Sequence, residues 1–292
     1  MPNYEAPLQF KQQMTGYHIV DTMKFMDDRL QLTLGLHMHS SAYTRVGQKR
    51  QDSRATSPTY ALSYKFTPDV MGYISHSESF NAGTLVSGAG YKNAGDVLPP
   101  AKTKQNEIGF KYTNKGLLAT LSFFDIEQAN NIDVQQGSDR YQLQDGRIRH
   151  KGVELAVGGK LGDKWNFSTG LSYLDATYDK TQNGQYDGVV ESGRPKWAGS
   201  LMLRYDADET FGAFGRVVYT GSAPVLYEKF WAPSYAVVDV GVEYKTKIDR
   251  LPAKFSLTCY NLFNKSYWMI ARGDNLYLST PRTIAVTMSV DF

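Results

Sequence analysis

Only one cysteine, Cys259, occurs in the whole chain. It permits no intrachain disulfide and no four-ligand zinc cluster, so neither a stapled secreted fold nor structural zinc supports this chain. An excess of one charge is missing too. The 32 Lys and Arg stand against 29 Asp and Glu, a formal net charge of +3, which argues against the concentrated basic surface of a nucleic-acid binder. No run approaches the roughly 20 continuous apolar residues of a membrane-spanning helix. The start, Met1-Pro-Asn-Tyr-Glu, shows no basic stretch, apolar core or cleavage site of a secretory signal. Aromatic rings are present in excess: 20 Tyr, 14 Phe and 4 Trp. Tyr outnumbering Phe suits surfaces that are half apolar and half wet.

The hydrophobic period is two almost throughout, which predicts an all-β fold. In 282–292, Ile284, Val286, Met288, Val290 and Phe292 share one face, while Thr283, Thr287, Ser289 and Asp291 share the other. Leu32, Leu34, Leu36 and Met38 likewise oppose Gln31, Thr33, His37 and His39, and Val238, Val240, Val242 and Tyr244 oppose Asp239, Glu243 and Lys245. The polar face is too hydrophilic for a sandwich core. Thirteen strands are expected, at about 17–26, 30–43, 58–66, 70–80, 104–113, 117–127, 148–161, 165–179, 195–205, 211–222, 235–246, 253–263 and 282–292.

The connections between them alternate in length. Those at 27–29, 67–69, 114–116, 162–164, 206–210 and 247–252 are short, with turn chemistry such as Thr67-Pro-Asp and Gly162-Asp-Lys. Those at 44–57, 81–103, 128–147, 180–194, 223–234 and 264–281 are long. In an up-and-down antiparallel sheet every second connection lies at the same end, and outer-membrane barrels place tight turns inside and long loops outside. A soluble sandwich has no reason to sort its loops in this way. The apolar face is therefore expected to meet lipid and the polar face the lumen, with Tyr64, Tyr112, Trp165 and Tyr173 as interfacial girdle.

Several stretches carry a resemblance: Ser57-Pro-Thr-Tyr-Ala-Leu-Ser-Tyr-Lys-Phe-Thr-Pro-Asp, Leu98-Pro-Pro-Ala-Lys-Thr-Lys-Gln-Asn-Glu-Ile-Gly-Phe-Lys, Arg149-His-Lys-Gly-Val-Glu-Leu, Ser172-Tyr-Leu-Asp-Ala-Thr-Tyr, Asn261-Leu-Phe-Asn-Lys-Ser-Tyr-Trp, and Pro281-Arg-Thr before a strand ending in Phe292. In order and spacing they resemble the C-terminal part of the barrel of a TonB-dependent siderophore receptor, from about residue 17 onward. The resemblance implies a transmembrane β-barrel of which these thirteen strands are the last of 22, in the outer membrane of a Gram-negative bacterium. It implies that 1–16 is an irregular N-terminal segment and 17–292 a partial barrel. The plug, the first strands and the contact with the TonB-ExbB-ExbD system would lie in a part not found here.

The family resemblance also implies ferric siderophore as the ligand, held by loop aromatics and cations. The candidates are Tyr227, Phe230 and Trp231 in loop 223–234, and Tyr267, Trp268, Arg272 and Tyr277 in loop 264–281. Such rings suit a bulky chelate by stacking and cation–π attraction, and they suit an interfacial girdle equally. The terminal Phe292 resembles the signal read by the outer-membrane barrel-assembly machinery. Outer-membrane lipid is the other expected partner, and no nucleic acid is expected.

No resident cofactor or metal is expected, since iron would arrive chelated in the siderophore. His37 and His39 lie two apart on the lumen face, but two ligands without a third make a poor site, and a solvated position suits them better. His76 between Ser75 and Ser77 is no catalytic pair, because adjacent strand residues point to opposite faces and no Gly-x-Ser-x-Gly elbow exists. An enzyme is therefore not expected. Arg272-Gly273-Asp274 matches an adhesion tripeptide, a match of the kind chance supplies. A self-standing smaller porin or adhesin is the alternative function.

Overall fold

The computed structural model describes residues 10–45, 50–88, 90–271 and 274–291. The strands run in chain order as β1 (Phe10–Phe25), β2 (Leu30–Arg45), β3 (Gln51–Lys65), β4 (Val70–Asn81), β5 (Ala101–Asn114), β6 (Leu117–Gln136), β7 (Asp139–Leu161), β8 (Trp165–Lys180), β9 (Trp197–Asp206), β10 (Phe211–Thr220), β11 (Ala223–Val225), β12 (Phe230–Ala232), β13 (Tyr235–Ile248), β14 (Leu251–Tyr260), β15 (Trp268–Ala271), β16 (Asn275–Leu278) and β17 (Thr283–Val290). Thirteen of them form one antiparallel up-and-down sheet in the order β1 to β10, β13, β14, β17, and β11–β12 and β15–β16 are small hairpins within loops. Among the described residues no pairing joins β1 to β17.

The register sorts the side chains as the period of two requires. Leu32, Leu62, Ile74, Ile108, Phe123 and Val153 lie in one row across β2 to β7 on the outer face. On β17, Ile284, Val286 and Met288 are 68%, 73% and 54% exposed, which only a lipid environment makes favourable. Aromatic pairs frame this band. Tyr64 packs edge-on to Phe66 under Arg29, Trp165 lies 4.7 Å from Tyr205, and Tyr173 lies 5.0 Å from Trp197.

The inner face is laced by ion pairs. Arg204 binds Glu243 at 2.6 Å and Asp206 at 2.8 Å, Lys254 reaches Glu243, Arg216 binds Asp239 at 2.6 Å, and Tyr73 donates to Glu107. Short turns close one end. Lys115-Gly116 and Asp249-Arg250 have positive φ at both positions, the two-residue geometry whose twist matches the flanking strands. Asp208 caps its turn by accepting from the Thr210 and Phe211 amides at 2.7 and 2.8 Å, and these bonds hold its carboxyl below the usual range.

Three expectations are corrected at the other end. The stretch 128–147 is not a loop: β6 and β7 run through it and leave only Gly137 and Ser138 as the turn. β3 likewise begins at Gln51, inside the expected loop 44–57, and β1 begins at Phe10, inside the segment expected to be irregular. The reason is common to all three. Beyond the membrane both faces of a strand are wet, so strands such as Gln51-Asp-Ser-Arg continue without apolar alternation. At this end the connections are therefore not uniformly long, and strand overhang takes the place of loop length.

Candidate functional site

A barrel wall has lipid on one side and lumen on the other, so its buried core gathers where loops fold over the wall. Val86, Leu98, Ile148, Val190, Ala223, Val225 and Ala232 are each less than 9% exposed, and all lie at the long-loop end. Loop 82–100 is tied to the β6–β7 hairpin: Tyr91 donates to Asp133 at 2.8 Å, Arg140 stacks 4.9 Å from the Tyr91 ring, and Asn93 bridges to the Gln142 backbone.

Loops 181–196, 221–234 and 261–282 interlock in turn. The Gly193 amide donates to Pro224 O at 2.7 Å, the Tyr227 amide to Ser192 Oγ at 3.2 Å, and the Leu226 amide to Asp274 at 3.3 Å. Asn261 binds the backbone of both Lys265 and Thr280, and its own amide donates to buried Asp239. The crown is thus anchored to the wall through side chains.

Two aromatic stacks stand on the lumen side of this crown. Tyr186 lies flat on Tyr227, with centroids 3.9 Å apart and planes 11° apart, and Tyr178 tilts against the same ring at 5.4 Å. Tyr235 and Tyr267 stack at 4.0 Å and 20°. Tyr178 and Tyr235 occupy lumen-facing positions of β8 and β13 in the register. Burial first, then Tyr186 and Asp274, raise the Tyr227 phenol, and burial with Tyr235 and Asp239 raises Tyr267. Both rings therefore present neutral phenols.

Beside the first stack, Glu191 accepts from His150 at 2.7 Å and Arg194 at 3.1 Å. Burial pushes the Glu191 carboxyl up, and the hydrogen bonds from His150 and Arg194 outweigh it, holding the group below its usual range. A cavity of about 440 Å³ opens between Tyr178, Glu191, Arg194, Ile270 and Asp274. A further hollow of about 550 Å³, among Leu62, Ile74, Ile108 and Phe123, lies on the outer face and belongs to the lipid contact surface.

Of the expected site residues, the structure brings Tyr227 and Tyr267 into stacks. Phe230 and Trp231 lie on the β11–β12 hairpin and Trp268 and Tyr277 on β15–β16, 62%, 48%, 47% and 55% exposed. They do not join the stacks. Arg272 and Phe292 lie outside the described residues. Sequence reasoning missed Tyr178, Tyr186, Tyr235 and the His150–Glu191–Arg194 cluster, although a tyrosine on the polar face of a strand, as at 178 and 235, is a usable signal.

Residues 3–262 match the family model described as "TonB dependent receptor-like, beta-barrel". The chain is 29% identical over 275 residues to the ferrichrome outer membrane transporter/phage receptor of Escherichia coli K12, covering 88% of this chain and 35% of that protein. It is also 29% identical over 302 residues to the ferrioxamine B receptor of Salmonella typhimurium, covering 97% of this chain and 41% of the relative. The crystal structure of BauA, the ferric preacinetobactin receptor from Acinetobacter baumannii, superposes with a TM-score of 0.86 at 29% identity, over 100% of this chain and 45% of that one. The chain thus spans less than half the length of each of these three relatives. With the thirteen-stranded wall, its lipid-facing band and its loop crown in agreement, the chain belongs to the TonB-dependent receptor β-barrel family of the outer membrane.

Proposed function

We propose that this chain is the outer wall and part of the ligand-binding crown of a receptor that takes up ferric siderophore. The two lumen-facing tyrosine stacks carry the reading. Flat neutral rings on a pre-ordered crown, with Arg194 and Arg216 nearby, suit a bulky chelate that must be gripped without stripping its metal. Iron is cargo, carried inside its chelate. Energised transport belongs to the full-length parent, a 22-stranded barrel with a plug that couples to TonB-ExbB-ExbD. Outer-membrane lipid and the barrel-assembly machinery, with the strand leading to Phe292 as its signal, are the remaining partners.

A chimera tests this: the chain replaces the matching barrel segment of a full-length relative, and binding and TonB-dependent uptake of radioiron siderophores are measured. Tyr227→Ala and Tyr267→Ala should each weaken binding about tenfold, equivalent to about 1.4 kcal/mol. Chimeras that insert and bind no ferric siderophore would sink the reading, and discrete channels from the chain alone in a planar bilayer would favour a passive porin.

A further inference from the structure

Three histidines converge on the lumen face of β1 and β2. His18 stands directly opposite His37 in the antiparallel register, and His39, two residues on, shares the face and pairs with Gly16. The His18 and His37 rings lie 4.0 Å apart and those of His37 and His39 5.9 Å apart. All three rings close over Gly16. The point where a Cβ of residue 16 would stand is 3.3 Å from His37 Nε2, 3.8 Å from His18 Nε2 and 3.8 Å from His39 Nδ1. One ring nitrogen of each histidine thus lies within 4 Å of a single point over Gly16. Moreover, His37 Nε2 is buried without a hydrogen-bond partner, a condition that costs about 1–3 kcal/mol if nothing satisfies it.

We propose that His18, His37 and His39 form a binding site for a borderline divalent transition metal, of the class of Zn²⁺, Ni²⁺ and Cu²⁺, with lumen water completing the coordination. A neutral imidazole donates a lone pair, and three of them make a set that zinc enzymes use with one position open. The same set is a poor match for Ca²⁺, Mg²⁺ or bare ferric iron, which favour oxygen. As the rings stand, no closed coordination set exists among the described residues. Closing to a metal–nitrogen distance of about 2.0–2.1 Å requires the rings to rotate about their side-chain bonds, and Gly16 permits it by placing no side chain of its own among them. The register and the bare backbone of Gly16 are the fixed parts of the site. The inference is independent of the siderophore and of the crown. It also departs from the expectation for His37 and His39, because the third ligand, on β1, is visible only once the register is known.

The test is Zn²⁺ titration of the full chain folded in detergent micelles, against a chromophoric competitor, with Co²⁺ absorption as a signature of tetrahedral coordination. One metal per chain is expected, unaffected by excess Ca²⁺. His37→Ala, His18→Asn and His39→Asn should each weaken it by at least about tenfold. Gly16→Ala is the sharper variant, since it keeps all three ligands and sets a methyl group among them, and it too should lose at least about tenfold. His76→Ala, outside the cluster, should leave zinc binding unchanged. Far-UV circular dichroism checks the fold of every variant. Zinc binding that survives His37→Ala or Gly16→Ala in a folded chain, or a folded wild type that binds no zinc, overturns the proposal.

Discussion

At the scale of single residues, Asp239 shows how the wall and crown share their supports. Its side chain is 7% exposed, takes the Arg216 guanidinium on one oxygen and the Asn261 amide on the other. Asp239→Ala leaves a cation and a backbone N–H without partners, and a loss of about 2–3 kcal/mol is expected in a urea unfolding titration. Glu191 gives a pH dependence. Its carboxyl is held below the ordinary carboxylate range in the folded crown, so its contribution is complete above the unfolded value and is lost as pH falls through the lower, folded one. Hydrogen exchange in loop 181–196 should therefore accelerate on acidification below about pH 4.5 beyond the intrinsic rate change, and Glu191→Gln should abolish that excess. These pairings were illegible beforehand. Asp239 was readable as an inward charge, but its partners depend on register. Tyr186 reaches Tyr227 only because loops 181–196 and 221–234 interlock.

At the scale of elements, the cross-strand register makes glycine a partner of lumen aromatics. Gly109 faces Tyr73, and a Cβ at 109 would lie 2.6 Å from the Tyr73 ring. Gly109→Ala should displace that ring, break its hydrogen bond to Glu107 and cost about 1–3 kcal/mol, measured as a lower unfolding midpoint with the native far-UV circular dichroism retained. The strands that cross lipid were legible in the sequence, because lipid demands an uninterrupted apolar face: Val238, Val240 and Val242 on β13 pair outward with the apolar faces of β10 and β14. Where β6 passes Gln128 it loses β5 as a neighbour, both faces are wet, and Asn130, Asp133 and Gln135 form a strand without the pattern that announces one. The small hairpins β11–β12 and β15–β16 were hidden for another reason, since strands of three and four residues are too short to show a period.

At the scale of the whole molecule, the sheet has two outer strands. β1 and β17 each present a row of backbone groups that lipid cannot satisfy, at several kcal/mol per group. In a bilayer the chain alone should associate edge to edge and give no single conductance level. Chemical crosslinking of reconstituted chain should show concentration-dependent oligomers, and a monodisperse monomer would contradict the open-edged description. The fold class, strand order and outer face were all readable from period and turn spacing. The closure of the sheet was not, since it depends on what pairs with β1 and β17.

The β6–β7 hairpin continues above the last pairings to β5 and β8, through residues 129–146, and ends in the turn Gly137-Ser138. At about 3.4 Å per residue, eight residues of each strand make a ladder of roughly 27 Å. Its tip is a signpost for orientation in the membrane. A short epitope inserted between Gly137 and Ser138 would be carried clear of the lipid headgroups and stain on unbroken cells, while the same epitope between Lys115 and Gly116 would stay dark until the membrane is opened.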